Sequence, residues 1–147
     1  MIILLVEDNP VDAKIIQNIL MHHYPLCVII TTGTAEEALA ACSEHHDLDL
    51  IVTDLHLPGS DGYELCKAIK AQGSPCCDVP IMMVSSDSNK VLTAAKSLAA
   101  GAFAFESKPI ARKRFIENIK AGLGWGRARR ERVEIHAQLT ERIAQHA

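Results

Sequence analysis

The sequence predicts an α/β fold: a five-stranded parallel sheet with helices on both faces, plus a C-terminal helical extension. Short, continuous apolar runs recur at residues 2–6, 50–53 and 81–84, as in strands covered on both sides. Between them lie segments with apolar residues at helical spacing, punctuated by caps and glycines. Strands that alternate with helices in this way pair in parallel through right-handed crossovers.

The elements follow in order. Residues 2–6 form the first strand. Asn9 then offers a helix cap and Pro10 a first helical position. Val11, Ile15 and Ile19, with Ile16 and Leu20, give the first helix its apolar stripe. Residues 27–30 read as the second strand. Thr34 and Glu37 match a capping box ahead of the small apolar residues Ala38, Leu39, Ala41 and Cys42. Residues 50–53 form the third strand, which ends at Asp54. A third helix runs from about Asp61 through Leu65 and Ile69 until Gly73-Ser74-Pro75 breaks it. After the fourth strand, 81–84, the residues Val91, Ala94, Ala95 and Leu98 mark a fourth helix closed by Gly101. Residues 103–105 are a brief fifth strand, and Phe115, Ile116 and Ile119 are the apolar side of a fifth helix. Alternate glycines at 122, 124 and 126 weaken a helix and predict a hinge. The chain is thereby divided into a domain over 1–122 and a hinge with a C-terminal helix over 123–147. That last helix carries a sparse stripe of Val133, Ile135, Leu139 and Ile143.

Composition narrows the function classes. With 48% hydrophobic residues among 147, the chain can bury a core and is not a disordered tail. The opening apolar run stops at Glu7-Asp8, far short of a membrane span, so a cytoplasmic location is expected. Five cysteines (Cys27, Cys42, Cys66, Cys76, Cys77) are an odd set without zinc-type spacing, which favours reduced thiols. The doublets His22-His23 and His45-His46 fall at helix ends and read as carbonyl-capping or solvated residues. Charge is lopsided: residues 1–107 carry 5 Lys/Arg against 14 Asp/Glu, and residues 108–147 carry 10 against 4. Glu131, Glu134 and Glu141 interrupt the basic tail and aromatics are few, so a solvated helix is favoured over nucleic-acid contact.

In parallel α/β sheets, ligands collect at the carboxyl ends of the strands. That rule gathers Glu7, Asp8, Asp54, Ser85 and the residues just after Phe105 onto one surface. Three carboxylates there repel one another unless a cation sits among them. Hard oxygen donors without a cysteine or histidine cluster favour Mg²⁺. A carboxylate beside Mg²⁺ and a lysine can attack phosphorus and form an aspartyl phosphate, the cations offsetting charge on the phosphoryl oxygens.

These residues resemble the receiver domains of two-component response regulators. Glu7-Asp8 is similar to the family's acidic pair, and Asp54 with Pro58 and Gly62 to its phosphoacceptor loop. Ser85 matches the Ser/Thr position after the fourth strand, and Lys108-Pro109 the Lys-Pro pair after the fifth. The resemblance spans roughly residues 1–122. It implies a flavodoxin-like strand order, 2-1-3-4-5, and phosphorylation of Asp54 by a histidine kinase or a histidine phosphotransfer protein. It also implies that Asp8 and Asp54 bind Mg²⁺ directly, Glu7 through water, and the backbone carbonyl of His56 completes the protein ligands. Lys108 would contact the phosphoryl group, Ser85 would bond it after moving inward, and Lys108-Pro109 would be cis. Phe105 stands at the aromatic switch position, where tyrosine is commoner, and Leu57 stands where methionine is frequent. His56 and Asp87 fall at variable positions beside the site and are expected to tune dephosphorylation.

A switch of this kind is a phosphoacceptor rather than an enzyme, although it catalyses its own phosphotransfer. A haloacid-dehalogenase-type phosphatase would want a second acid where His56 stands. A flavin module would not place Glu7-Asp8 in a phosphate loop. The remaining alternative is a receiver-like interaction module that takes no phosphate. Expected output is a change in the face formed by the fourth helix, fifth strand and fifth helix, with a possible homodimer through Val133, Leu139 and Ile143.

Overall fold

Five apolar runs pair as one parallel sheet: β1 (Ile2–Val6), β2 (Val28–Thr32), β3 (Leu50–Asp54), β4 (Ile81–Ser85) and β5 (Ala104–Ser107). Their order is 2-1-3-4-5, with Leu4 between Ile30 and Ile51, and Met83 between Thr53 and Phe105. The computed structural model describes residues 1–146, apart from the side chains at positions 126, 127, 129, 130 and 133. Because strand side chains alternate, β1 sends Ile3 and Leu5 to one face and Leu4 and Val6 to the other. Helices α1 (Pro10–His23) and α5 (Arg112–His146) cover the first face. Helices α2 (Ala35–Glu44), α3 (Gly62–Lys70) and α4 (Lys90–Ala100) cover the second.

The expected caps are in place. Asn9 Oδ1 accepts from the amides of Val11 (2.9 Å) and Asp12 (3.1 Å). Thr34 Oγ1 accepts from Glu37 N at 3.1 Å, while the Glu37 carboxylate reaches Gly33 N rather than Thr34 N. Gly101 closes α4 in the left-handed region at φ 109°. All five cysteines are free thiols. Among the described residues, no helix is long and apolar enough to cross a membrane.

Three expectations need correction. The buried stripe of α1 is Ala13, Ile16, Ile19 and Leu20, whereas Val11 and Ile15 face solvent. On α4 Val91 and Leu98 point outward, 83% and 58% exposed, and Thr93 and Ser97 are buried with Ala100. Their hydroxyls bond back to the carbonyls of Asn89 (2.9 Å) and Thr93 (2.7 Å), which removes the cost of burying them. The third concerns the hinge: α5 runs unbroken through positions 122–126. Gly122 is there for packing, since a Cβ would lie 2.6 Å from Phe103 Cζ and 2.9 Å from Leu50 Cδ1. Val133, expected to line a pairing face, lies outside the described residues.

Candidate functional site

The site sits at the carboxyl edge of β1, β3, β4 and β5. Asp54 ends β3, and Leu55 N bonds Val84 O (3.0 Å), which ties the next residue to β4. Behind Asp54 the chain turns through a two-residue antiparallel ladder, His56–Leu57 with Ser60–Asp61, and returns at Gly62. Gly62 N bonds Leu55 O at 2.6 Å. The return is so tight that a Cβ on Gly62 would stand 2.6 Å from the Asp54 carbonyl oxygen. Asp61 then caps α3, its Oδ1 accepting from Glu64 N at 2.8 Å.

Lys108 follows β5 and is held by its amide to Ser85 O at 2.8 Å. Its Nζ donates to Asp54 Oδ2 (2.5 Å), Asp12 Oδ2 (2.9 Å) and Glu7 Oε2 (3.2 Å). The other oxygen of Asp54, Oδ1, accepts from His56 N at 2.8 Å. The Lys108-Pro109 bond is cis. Ser85 is fully buried at the end of β4, and its Oγ accepts from Asp87 N at 3.1 Å. His56 Nε2 meets Asp87 Oδ1 at 2.6 Å on the rim. Phe105 is half-buried against the core beneath α2, α3 and α4.

Electrostatics follow from crowding. Burial, then the hydrogen bond and charge of Asp54, push Glu7 up to about 8, with Lys108 opposing. Burial also tends to raise Asp54, but hydrogen bonds from Glu7, Lys108 and the His56 amide outweigh it, and the net shift is downward. Burial tends to lower Lys108, but its bonds to Asp54 and Asp12 and the charges of Asp54 and Glu7 drive it upward. Within the cluster Glu7 is thus the carboxyl group most disposed to hold a proton and Asp54 the one most disposed to be ionised, beside the Lys108 ammonium.

Sequence reasoning brought together Glu7, Asp54 and Lys108, and the structure places them in contact. It missed Asp12, which joins Glu7 and Asp54 in a cluster whose carboxylate oxygens lie within 4.8 Å of one another. The available signal was an acid in the first turn of the helix that leaves the acidic strand end. Asp8, by contrast, is exposed on the loop and is not part of that cluster. The donor set fits a hard divalent cation: all oxygens, partly buried, and facing the Lys108 ammonium group.

The family model of the response regulator receiver domain matches residues 3–120. The chain belongs to that family. Among curated relatives, it is 35% identical over 125 residues to Protein RcaC of Microchaete diplosiphon, covering 84% of this chain and 18% of RcaC. The signal receiver domain of an HD domain-containing protein from Pseudomonas fluorescens superposes with a TM-score of 0.77 at 26% identity, covering 89% of this chain and 92% of that one. The receiver domain of sensor histidine kinase PA1611 from Pseudomonas aeruginosa superposes with a TM-score of 0.72 at 27% identity, covering 84% and 97%. That domain holds a magnesium ion in its active-site cleft. The chain spans 15% to 52% of the length of its leading curated relatives. As a receiver domain, it carries an acidic pocket at the expected edge of the expected sheet.

Proposed function

We propose that the chain is a phosphorylation switch in a two-component pathway, with Asp54 as the acceptor. The observation that carries this reading is the Lys108 ammonium 2.5 Å from Asp54 Oδ2, inside a ring of carboxylates. The donor is a phosphohistidine on a histidine kinase or phosphotransfer protein in the cytoplasm. An Asp54 carboxylate oxygen attacks phosphorus, an O–P bond forms, and the P–N bond to the donor imidazole breaks. Lys108 offsets charge on the phosphoryl oxygens, and the Ser85 hydroxyl moves inward to bond one of them. The His56 amide on Oδ1 fixes the rotamer of the nucleophile. Glu7, Asp8, Asp54 and the His56 carbonyl would hold Mg²⁺, with Asp12 close by, and the ion would add positive charge at the phosphoryl oxygens.

Phosphorylation changes the face formed by α4, β5 and α5. The exposed apolar residues Val91 and Leu98 on α4 give that face something to bind with. Drawing Ser85 inward leaves space that the Phe105 ring fills, a two-state change rather than a gradual one. The helix beyond Gly122 responds as a self-association element. The alternative, an interaction module that takes no phosphate, leaves the Lys108–Asp54 arrangement without a purpose.

Incubation with a small phosphodonor and Mg²⁺, followed by intact mass, tests this reading. One added phosphoryl group is expected on the native chain and none on Asp54→Asn. Full stoichiometry in the variant would sink the assignment. Sedimentation of the full chain with and without a phosphoryl mimic tests the output.

A further inference from the structure

We infer that Asp87 is a positioning residue for Ser85: anchored by His56, it holds the Ser85 hydroxyl in its resting place and opposes its movement onto a phosphoryl group at Asp54. This rests on the acceptor reading above and adds to it what restrains the switch. Asp87 makes two bonds in different directions. Its amide donates to Ser85 Oγ at 3.1 Å, and its Oδ1 lies 2.6 Å from His56 Nε2. A carboxylate only accepts, so the imidazole is the donor. His56 is fixed in turn by its own amide, which donates to Asp54 Oδ1 at 2.8 Å. Three bonds in series therefore run from the Asp54 carboxylate through His56 and Asp87 to the Ser85 hydroxyl.

The loop that carries Asp87 has little else to hold it toward Asp54. Ser86, Ser88 and Asn89 are exposed, and Asn89 is committed to α4, its Oδ1 accepting from Leu92 N at 3.2 Å. A cavity of about 380 Å³ opens beside the loop, lined in part by His56, Asp87, Ser88, Asn89 and Thr93. Among the described residues, no other hydrogen bond or ion pair joins residues 86–89 to residues 55–61. Ser85 is fully buried, so its Oγ keeps a partner wherever it goes. To move inward with the Asp87 amide still attached, Ser85 needs the loop to follow, and the tie to His56 resists that. With the tie in place, the movement costs a hydrogen bond, and the resting position is favoured by that amount. The tie lies at the surface, with the His56 side chain 62% and that of Asp87 36% exposed, so the restraint is a modest one. A direct effect of charge on an incoming anion would look different. Asp87 would repel the anion and a protonated His56 would attract it, so their removal would act in opposite directions.

Binding of beryllium trifluoride, a phosphoryl analogue, to the full chain in the presence of Mg²⁺ separates these accounts. H56A and D87A leave both backbone amides and the His56 carbonyl in place. Each is expected to bind the analogue about two- to fivefold more tightly than the native chain, the size a partly exposed pair supplies. The H56A/D87A chain should bind no more tightly than either single variant, because the same tie is broken in all three. D87N, whose side-chain oxygen still accepts from His56, should return to the native affinity. In an S85A background the gain from D87A should vanish. Opposite signs at positions 56 and 87, or D87N matching D87A, would show a charge effect and overturn the proposal. Additive gains, native affinity throughout, or a gain that survives S85A would overturn it as well. A native chain that takes neither the analogue nor a phosphoryl group at Asp54 would overturn the acceptor reading itself, and this proposal with it.

Discussion

Gly62 lies against the back of Asp54: a Cβ at position 62 would meet the Asp54 carbonyl oxygen at 2.6 Å and Met83 Sδ at 2.8 Å. The loop after Asp54 is therefore closed by absence of a side chain. Gly62→Ala has to displace the Asp54 carbonyl, Leu55 or the Met83 side chain, at a cost of about 1–3 kcal/mol for overpacking. The urea midpoint is expected to fall and the initial rate of phosphate uptake to fall with it. An unchanged midpoint would mean that the loop relaxes freely.

Asp8 lies on the loop after β1 and Asp12 in the first turn of α1, and the two differ in freedom. Asp12 is engaged by Lys108 at 2.9 Å, whereas Asp8 is exposed and can swing toward a cation. Calorimetric titration with Mg²⁺ is expected to show about a tenfold loss of affinity, about 1.4 kcal/mol, for Asp8→Asn. Asp12→Asn should lose clearly less. The reverse ranking would make Asp12 the direct ligand.

Glu106 gives a pH signature away from Asp54. It is buried on β5, accepts from Asn118 Nδ2 at 2.7 Å, and stands 4.0 Å from Arg114 Nε. Burial raises its pKa, and Arg114 and Asn118 only partly oppose this. The folded state thus binds the proton more tightly than the unfolded state. The stability this contributes is complete below the ordinary glutamate value and is lost as pH rises through the folded one. Glu106→Gln should gain on the native chain in urea midpoint as pH is raised from about 4 to 7, the lower end being near the unfolded glutamate value. Parallel curves would rule the effect out.

Gly122 and Gly124 make a matched pair on one helix. Each alanine replacement adds about 1 kcal/mol of helix propensity. At 122 the new methyl collides with Phe103 and Leu50, so overpacking of about 1–3 kcal/mol outweighs the gain and the melting temperature falls. At 124 a Cβ meets nothing within 4 Å, so the gain stands and amide exchange beyond that point slows. Equal effects at the two positions would contradict the packing role of Gly122.

Local chemistry was readable without coordinates. The caps at Asn9 and Thr34, the Gly101 stop and the strand-end acids are short-range signals, and they predicted both the sheet and the residues around Asp54. Contacts between distant segments were not. Asp12 belongs to the site because the Lys108 side chain reaches back to α1 from the far end of β5. The outward turn of Val91 and Leu98 depends on Thr93 and Ser97 satisfying themselves within α4. Gly122 reads as a hinge until Phe103 is seen pressed against it.

That pressed contact continues one turn further, where Trp125 meets Phe103 edge-on with ring centroids 5.1 Å apart. Phe103 leads into the strand that carries Phe105 and, past its end, Lys108. From Gly122 to the end of α5 the helix extends for about 36 Å at 1.5 Å per residue. It behaves as a lever with its fulcrum at the sheet: a tilt of about 5° at the root carries the tip by about 3 Å over that length. A sub-ångström adjustment of β5 would thereby be magnified into a displacement large enough to change what the far end can reach.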